Sequence, residues 1–267
     1  MMRHSPTPAR PNPRFKLKLL ADGRAALNLG CGTRMHRSWN NLDFSLYILL
    51  SRHPTVANIL RKLGVLSQER YDKLPGVAPD AIYWNLSKGI PFEDDTFDIV
   101  YQAHVLEHFD KDVAPEILKE CFRVLKRNGT LRVVVPDLAI LINKYNESVT
   151  LLQQNNNEAA QKRHYQAIHD LFEQMVRREM AGTRQQRNVV RCLENLARGD
   201  AAKTGELHLW MYDTYSLGTL LTEVGFKDIR QETPGTSRIA GWTSFNLDTE
   251  ADGAVDRPDS LYMEGVK

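Results

Sequence analysis

His104, Glu107 and His108 spell H-x-x-E-H directly after an apolar run, FDIVYQA at 97–103. Histidine is the side chain that most readily exchanges a proton near neutral pH, and a neighbouring carboxylate can orient it and raise its basicity. Three roles are open to such a cluster. One histidine can act as a general base or orient an acceptor, both can cap and pack a turn, or the pair can ligate a metal in the inverted zincin pattern. The metal role needs two histidines one turn apart on a helix and a third ligand from elsewhere. His104 follows a strand instead, so the sequence assigns no metal ligand. His104 and His108 are the candidate catalytic residues.

A second chemical signal lies upstream. LNLGCG at 27–32 is a glycine turn leaving a short apolar strand. A dinucleotide fingerprint asks for a third glycine at position 35, where this chain has Met35, so the turn is not built for a pyrophosphate. Two glycines still admit a ligand close to the backbone. Asp43 comes 13 residues after Gly30, at the expected end of a second strand, where a carboxylate can accept hydrogen bonds from both hydroxyls of a ribose. The usual spacing is about 20 residues with a full helix between. Here 33–38 leaves room for a loop or a single turn.

The elements that must position these residues alternate between strand and helix. Strands are expected at 25–29, 39–43, 81–85, 97–103, 130–135 and 243–247. Helices are expected at 113–126, stopped by Asn128-Gly129, at 160–180, and at 214–223, ended by Gly225. Such alternation predicts βαβ units, a parallel sheet and ligands outside the carboxyl ends of its strands. Two stretches exceed ordinary connections. One, 44–80, includes the apolar-basic run LYILLSRHPTVANILRKLGVL, expected to pack on the sheet. The other, 140–206, is polar and largely helical, and Arg177, Arg184 and Arg191 recur there every seven residues as an expected solvated face.

Taken in order, LNLGCG, the W-x-N-x-D ending at Asp43, NLSKGIPF-x-D-x-TFDIVY, HVLEH, RVLKRNGTLRVVVPDL at 123–138 and LLTEVGF at 220–226 resemble class I S-adenosylmethionine-dependent methyltransferases of the type 11 family. The likeness spans 25–140 and 207–247. It implies a Rossmann-like, doubly wound, mostly parallel seven-stranded α/β sheet, with a helical insertion before the last helix covering the active site. It also implies S-adenosyl-L-methionine as cofactor. Gly30, Cys31 and Gly32 would then approach its amino acid part and Asp43 its ribose. Asn85, with the backbone of Leu86, stands where the family usually accepts from the adenine amino group through an aspartate. Ala103 and His104 fall where the chain turns beneath the reactive methyl. His208, Trp210 and Tyr212 lie where the family often lines its acceptor pocket, and core packing accounts for them equally well.

The whole chain bounds these readings. Its 267 residues carry 35 basic and 33 acidic side chains, and a net charge of +2 argues against a dedicated nucleic-acid binder. No purely apolar run is longer than that at 46–50, which is too short for a membrane span. Cys31, Cys121 and Cys192 form neither a disulfide framework nor a zinc pattern, so the chain reads as cytoplasmic. The organisation expected is a basic, proline-rich arm at 1–24, disordered or folded back; a methyltransferase domain at 25–247 with insertions at 44–80 and 140–206; and an acidic segment at 248–267. The expected acceptor is a small or carbohydrate-type hydroxyl compound, with no nucleic acid and no fixed oligomeric state. The alternative is a non-catalytic module on the same fold that binds the cofactor or a partner. If 140–206 is a lid, replacing it with a short linker should spare cofactor binding and abolish turnover, and failure of that protein to fold would make it core or interface instead.

Overall fold

The computed structural model describes residues 11–155, 157–175 and 208–267. Four strands run parallel and are buried over most of their length: β1 (Ala26–Leu29), β2 (Asn40–Asp43), β4 (Phe97–Ala103) and β5 (Leu125–Pro136), with the two-residue β3 (Ile82–Tyr83) outside β2. Near-continuous apolar runs are what a parallel sheet covered on both faces requires. The order is β3-β2-β1-β4-β5-β7-β6, with β6 at Lys227–Glu232 and β7 at Ser260–Val266. Only β7 runs against its neighbours. The strand order reverses between β1 and β4, and a crevice for ligands opens at that switch point, beyond the carboxyl ends.

Alternate side chains feed two cores. On one face Val133, Val135, Leu261 and Met263 pack with helices α4 (Ala114–Val124) and α7 (Thr214–Val224) through Ile117, Cys121, Leu217 and Leu221. On the other, Tyr101, Val134 and Tyr262 meet Trp39, Trp242 and Leu247. Helix α7 starts in a capping box between Asp213 and Ser216 and stops at Gly225, whose φ of 115° suits glycine.

The long stretch at 44–80 folds into α1 (Leu46–Ser51), α2 (Pro54–Lys62) and α3 (Gln68–Asp72). It carries small cores of its own, around Ile48, Val77 and Ala81 and around Ala57, Leu66 and Leu74. The second insertion begins with α5 (Leu138–Gln154), capped by Asp137, and α6 (Glu158–Met175). Arg177, Arg184 and Arg191 lie outside the described residues. Residues 11–24 fold back on the body: Phe15 meets Trp84 edge-on, and the Lys18 amide donates to Asn40. Among the described residues no helix is long and apolar enough to cross a membrane.

The end of the chain departs from the sequence reading. Residues 242–245 form a 3-10 turn rather than a strand, and Asn246 closes it in the left-handed region at φ 50°. The last strand is Ser260–Val266, inside the 248–267 stretch set apart as acidic, and it is nearly wholly buried. Its Glu264 hid it, because a buried carboxylate breaks an apolar pattern. β6, KDIRQE, went unread because it is a largely exposed edge strand whose charges leave no alternation.

Glu264 is tolerated because Arg132, also fully buried, lies directly across the ladder and donates to it at 2.8 Å. The same guanidinium donates to Asp248 at 2.8 Å and to the carbonyls of Thr233 and Thr236, and lies 4.6 Å from the Trp242 ring centre. Burial pushes the Asp248 carboxyl up against the pull of Arg132. Arg132→Met should therefore cost about 3–5 kcal/mol, since it strands buried carboxylates, whereas Arg132→Met with Glu264→Leu should recover part of that loss. Urea unfolding of both variants checks this.

Candidate functional site

The glycine turn and Asp43 meet at the carboxyl ends of β1 and β2. The Gly30 amide donates to the carbonyl of Leu42 at 2.8 Å, and the Gly32 amide donates to Oδ2 of Asp43 at 2.6 Å. Both glycines hold positive φ, 61° and 51°. They differ in what a side chain would meet. A Cβ on Gly30 would fall 2.2 Å from Cγ2 of Val105, so packing forbids it. A Cβ on Gly32 would meet nothing within 4 Å, leaving an open face over the turn. Cys31 between them is buried, and burial pushes its thiol well above the ordinary range. It contributes backbone, not a nucleophile.

Asp43 is half-buried, and desolvation pushes its carboxyl up, against backbone hydrogen bonds from Gly32, Ser45 and Phe44 that favour the charge. Beside it Phe44 and Tyr83 stack at 5.0 Å and 28°, an aromatic wall the sequence reading missed. Its only signals were an aromatic directly after Asp43 and another two residues before Asn85. β3 continues past this wall, where the Trp84 amide donates to the Asp43 carbonyl. The Asn85 side-chain oxygen accepts from the Ser87 amide at 2.9 Å, so Asn85 caps its own turn, and Leu86 turns its side chain into the core.

β4 delivers the second half of the site. Leu29 pairs with Gln102, so Gly30 and Ala103 follow side by side across the crevice. His104 then sits in the left-handed region at φ 53°, an uncommon conformation outside glycine that recurs at functional sites. Its Nε2 lies 2.9 Å from Ser260 Oγ on β7, and its Nδ1 lies 3.5 Å from Oε1 of Glu107. The turn at Leu106–His108 is 3-10, so His104 and His108 are not paired along an α-helix.

Glu107 is fully buried and turned inward. Its backbone carbonyl accepts from the amides of Leu209 and Trp210, which docks the 208–212 segment onto the turn after β4. That contact brings His208 to 3.9 Å from Glu107 Oε1 and to a T-shaped ring contact with His108 at 4.9 Å. Tyr212 is buried too, and its hydroxyl is pushed up by desolvation and by the charges of Glu107 and Asp110. Trp210 instead lies half exposed, with Lys111 over its ring at 5.5 Å. The structure thus unites two groups that the sequence reading kept apart, H-x-x-E-H and the 208–212 residues. Glu107 joins them.

The arrangement suits a cofactor of stated shape: an open glycine turn, a carboxylate beside it, an aromatic wall, and histidines across the crevice. Residues 27–133 match the methyltransferase domain family. Among solved structures the chain is similar to a SAM-dependent methyltransferase from Archaeoglobus fulgidus, at 14% identity and a TM-score of 0.38 over 91% of this chain and 86% of that one. It is similar also to a SAM-dependent methyltransferase from Thermotoga maritima, at 11% identity and 0.37 over 91% and 82%. An O-methyltransferase family protein from Burkholderia thailandensis gives 12% and 0.39 over 91% and 51%. No curated protein matches the sequence. The strand order, rather than these overlaps, fixes the fold.

The match of residues 27–133 to the methyltransferase domain family implies S-adenosylmethionine as cofactor, and we propose that Asp43 holds its ribose. Asp43→Ala should weaken cofactor binding by about 1.5–3 kcal/mol, the range for hydrogen bonds to a charged group. Calorimetric titration with S-adenosylhomocysteine measures this. Because burial raises the Asp43 carboxyl, the wild-type affinity should begin to fall on acidification above the ordinary carboxylate range, and Asp43→Ala should lack that limb.

Proposed function

From the premise that residues 27–133 belong to the methyltransferase domain family, we propose that this protein transfers a methyl group from S-adenosylmethionine to a hydroxyl of a small or carbohydrate-type acceptor. The observation that carries the reading is the facing pair across the switch point. Gly32 bonded to Asp43 lies on one side, and His104 stands at the end of β4 on the other.

S-adenosylmethionine supplies an electrophilic methyl on a sulfonium, so positioning and exclusion of water account for much of the rate. The hydroxyl of the acceptor must still lose its proton. His104 is the base we assign, since Glu107 stands behind its Nδ1 and keeps a proton there, which leaves Nε2 as the basic nitrogen. Ser260, 2.9 Å from Nε2, holds the ring or passes the proton on. Gly30, Cys31 and Gly32 would hold the amino acid part of the cofactor, and Asn85 with the Leu86 backbone the adenine edge. α5 and α6 open the 140–206 insertion, which we assign as the acceptor lid. The near-neutral net charge and that insertion favour an uncharged hydroxyl acceptor over a polyanion. The buried free thiols of Cys31 and Cys121 are in keeping with the cytoplasm.

A non-catalytic module draws its support from Asn85, which replaces a charged acceptor and is engaged in its own turn. Titration with S-adenosylhomocysteine followed by methyl-labelled S-adenosylmethionine and a panel of sugars and small alcohols separates the two. No cofactor binding, or binding without label transfer to any acceptor, favours the module, while binding with label transfer establishes the enzyme. With an acceptor in hand, His104→Ala and His108→Ala should both retain cofactor binding, and at least one should lose about 10²-fold in kcat at neutral pH. The deficit should narrow as pH rises and the acceptor ionises unaided. Wild-type turnover by both variants would make catalysis here positioning alone.

A further inference from the structure

The objection to a metal in the sequence rested on His104 and His108 as the pair. The structure supplies a different set. Side-chain donor atoms of Glu107, His108 and His208 all lie within 4.8 Å of one another, with Glu107 and His208 buried and His108 half-buried. Among the described residues it is the one such cluster of three. We propose that these three side chains form a site for one divalent first-row transition-metal ion, zinc or a neighbour of zinc, at the mouth of the methyl-transfer centre.

Three features carry this. The donor chemistry is the first: two imidazoles and a carboxylate suit zinc, iron, cobalt or manganese, whereas magnesium prefers an all-oxygen shell. A tetrahedral ion about 2.1 Å from each donor sets the donors about 3.4 Å apart. Glu107 Oε1 and His208 Nε2 stand at 3.9 Å, so the closure required there is about half an ångström. The second is the tautomer of His208. Its Nδ1 lies in hydrogen-bond contact with the backbone carbonyl of Gln174 in α6. A carbonyl only accepts, so Nδ1 carries a proton, and in its neutral form the ring would present the Nε2 lone pair toward Glu107. A carbonyl that fixes the far nitrogen of a ligand histidine is the usual outer support of a metal site. The third is the opening. Three protein donors leave a fourth position, and the half-buried His108 marks the side that faces solvent.

That open position gives the ion its use. His104 Nδ1 lies 3.5 Å from the same Glu107 oxygen that faces His208, so an acceptor bound to the ion would lie beside His104, whose basic Nε2 faces away from Glu107 toward Ser260. Acceptors able to present a hydroxyl to both, such as vicinal diols of a sugar, are the class this geometry selects. This use rests on the methyl-transfer reading, whereas the metal site rests on the three side chains alone.

The test strips the full-length protein with a chelator, then titrates it with Zn2+ and, separately, Co2+, following heat and the visible cobalt spectrum. One equivalent per chain is expected, with the intense d–d bands of tetrahedral cobalt. Glu107→Gln, His108→Ala and His208→Ala should each weaken metal binding by about 10²-fold or more, at least as much as loss of an outer-shell partner. His169→Ala, which alters an exposed histidine beside Asp170 and Glu173, should bind as the wild type does. Circular dichroism and S-adenosylhomocysteine titration on the same samples show that each variant is folded and keeps its cofactor site. Absence of a stoichiometric, variant-sensitive site in protein that still binds S-adenosylhomocysteine overturns the metal proposal and leaves the methyltransferase reading standing. Metal uptake without S-adenosylhomocysteine binding does the reverse.

Discussion

The cross-strand pair of Arg132 and Glu264 is the constraint on which the site depends. β7 is the one reversed strand, it lies between β5 and β6, and its side-chain period is two. A slip of one residue would turn Glu264 out of reach of Arg132 and into an apolar layer. That cost, several kcal/mol for a stranded buried charge, pins the register. The register then sets Ser260 opposite Pro136 at the far end of the strand, where its hydroxyl meets His104. A stabilising ion pair in one half of the sheet therefore decides the hydrogen-bond partner of the proposed base in the other half.

Glu107 plays the corresponding part at the strand ends. A fully buried carboxylate requires compensating partners, and its surroundings are histidines drawn from two separate segments, His104 beside it in sequence and His208 a hundred residues on. Its backbone carbonyl secures the 208–212 segment directly, and a bridge between Asp137 and Tyr212 continues the docking along the end of β5. The stretch that closes the long insertion is thus held by the same residue whose carboxylate stands beside His104. Whatever moves α6 moves the carbonyl of Gln174, hence His208, and so the field at Glu107.

Legibility in the sequence followed the physics of each element. β1, β4 and β5 could be read because strands buried on both faces are mostly apolar, as in FDIVYQA and TLRVVV, and α7 because its cap and Gly225 punctuate it. Gly30, Gly32 and Asp43 could be placed together because their spacing leaves one short crossover between adjacent strands. β6 and β7 escaped, one because an edge strand carries no buried face, the other because Glu264 interrupts its pattern for a partner more than a hundred residues away. The union of Glu107 and His208 escaped for the same reason: no local periodicity encodes a contact made by chain return. The aromatic wall of Phe44 and Tyr83 is likewise a neighbour relation between strands, visible only once β2 and β3 are known to pair.

The two halves of the site are not independent, and Val105 is the reason. Its methyl occupies the space that a side chain on Gly30 would need, so the glycine turn after β1 and the turn that carries Glu107 and His108 share one van der Waals contact. Interiors packed to this density transmit small displacements instead of absorbing them. The strained φ of His104 immediately precedes Val105 and fixes the direction in which the chain leaves β4. Glycine at 30 is therefore required less by a ligand than by the need to seat Val105. The absence of one side chain at Gly30 thus lets the glycine turn and the turn that carries Glu107 pack together, beside an open face at Gly32.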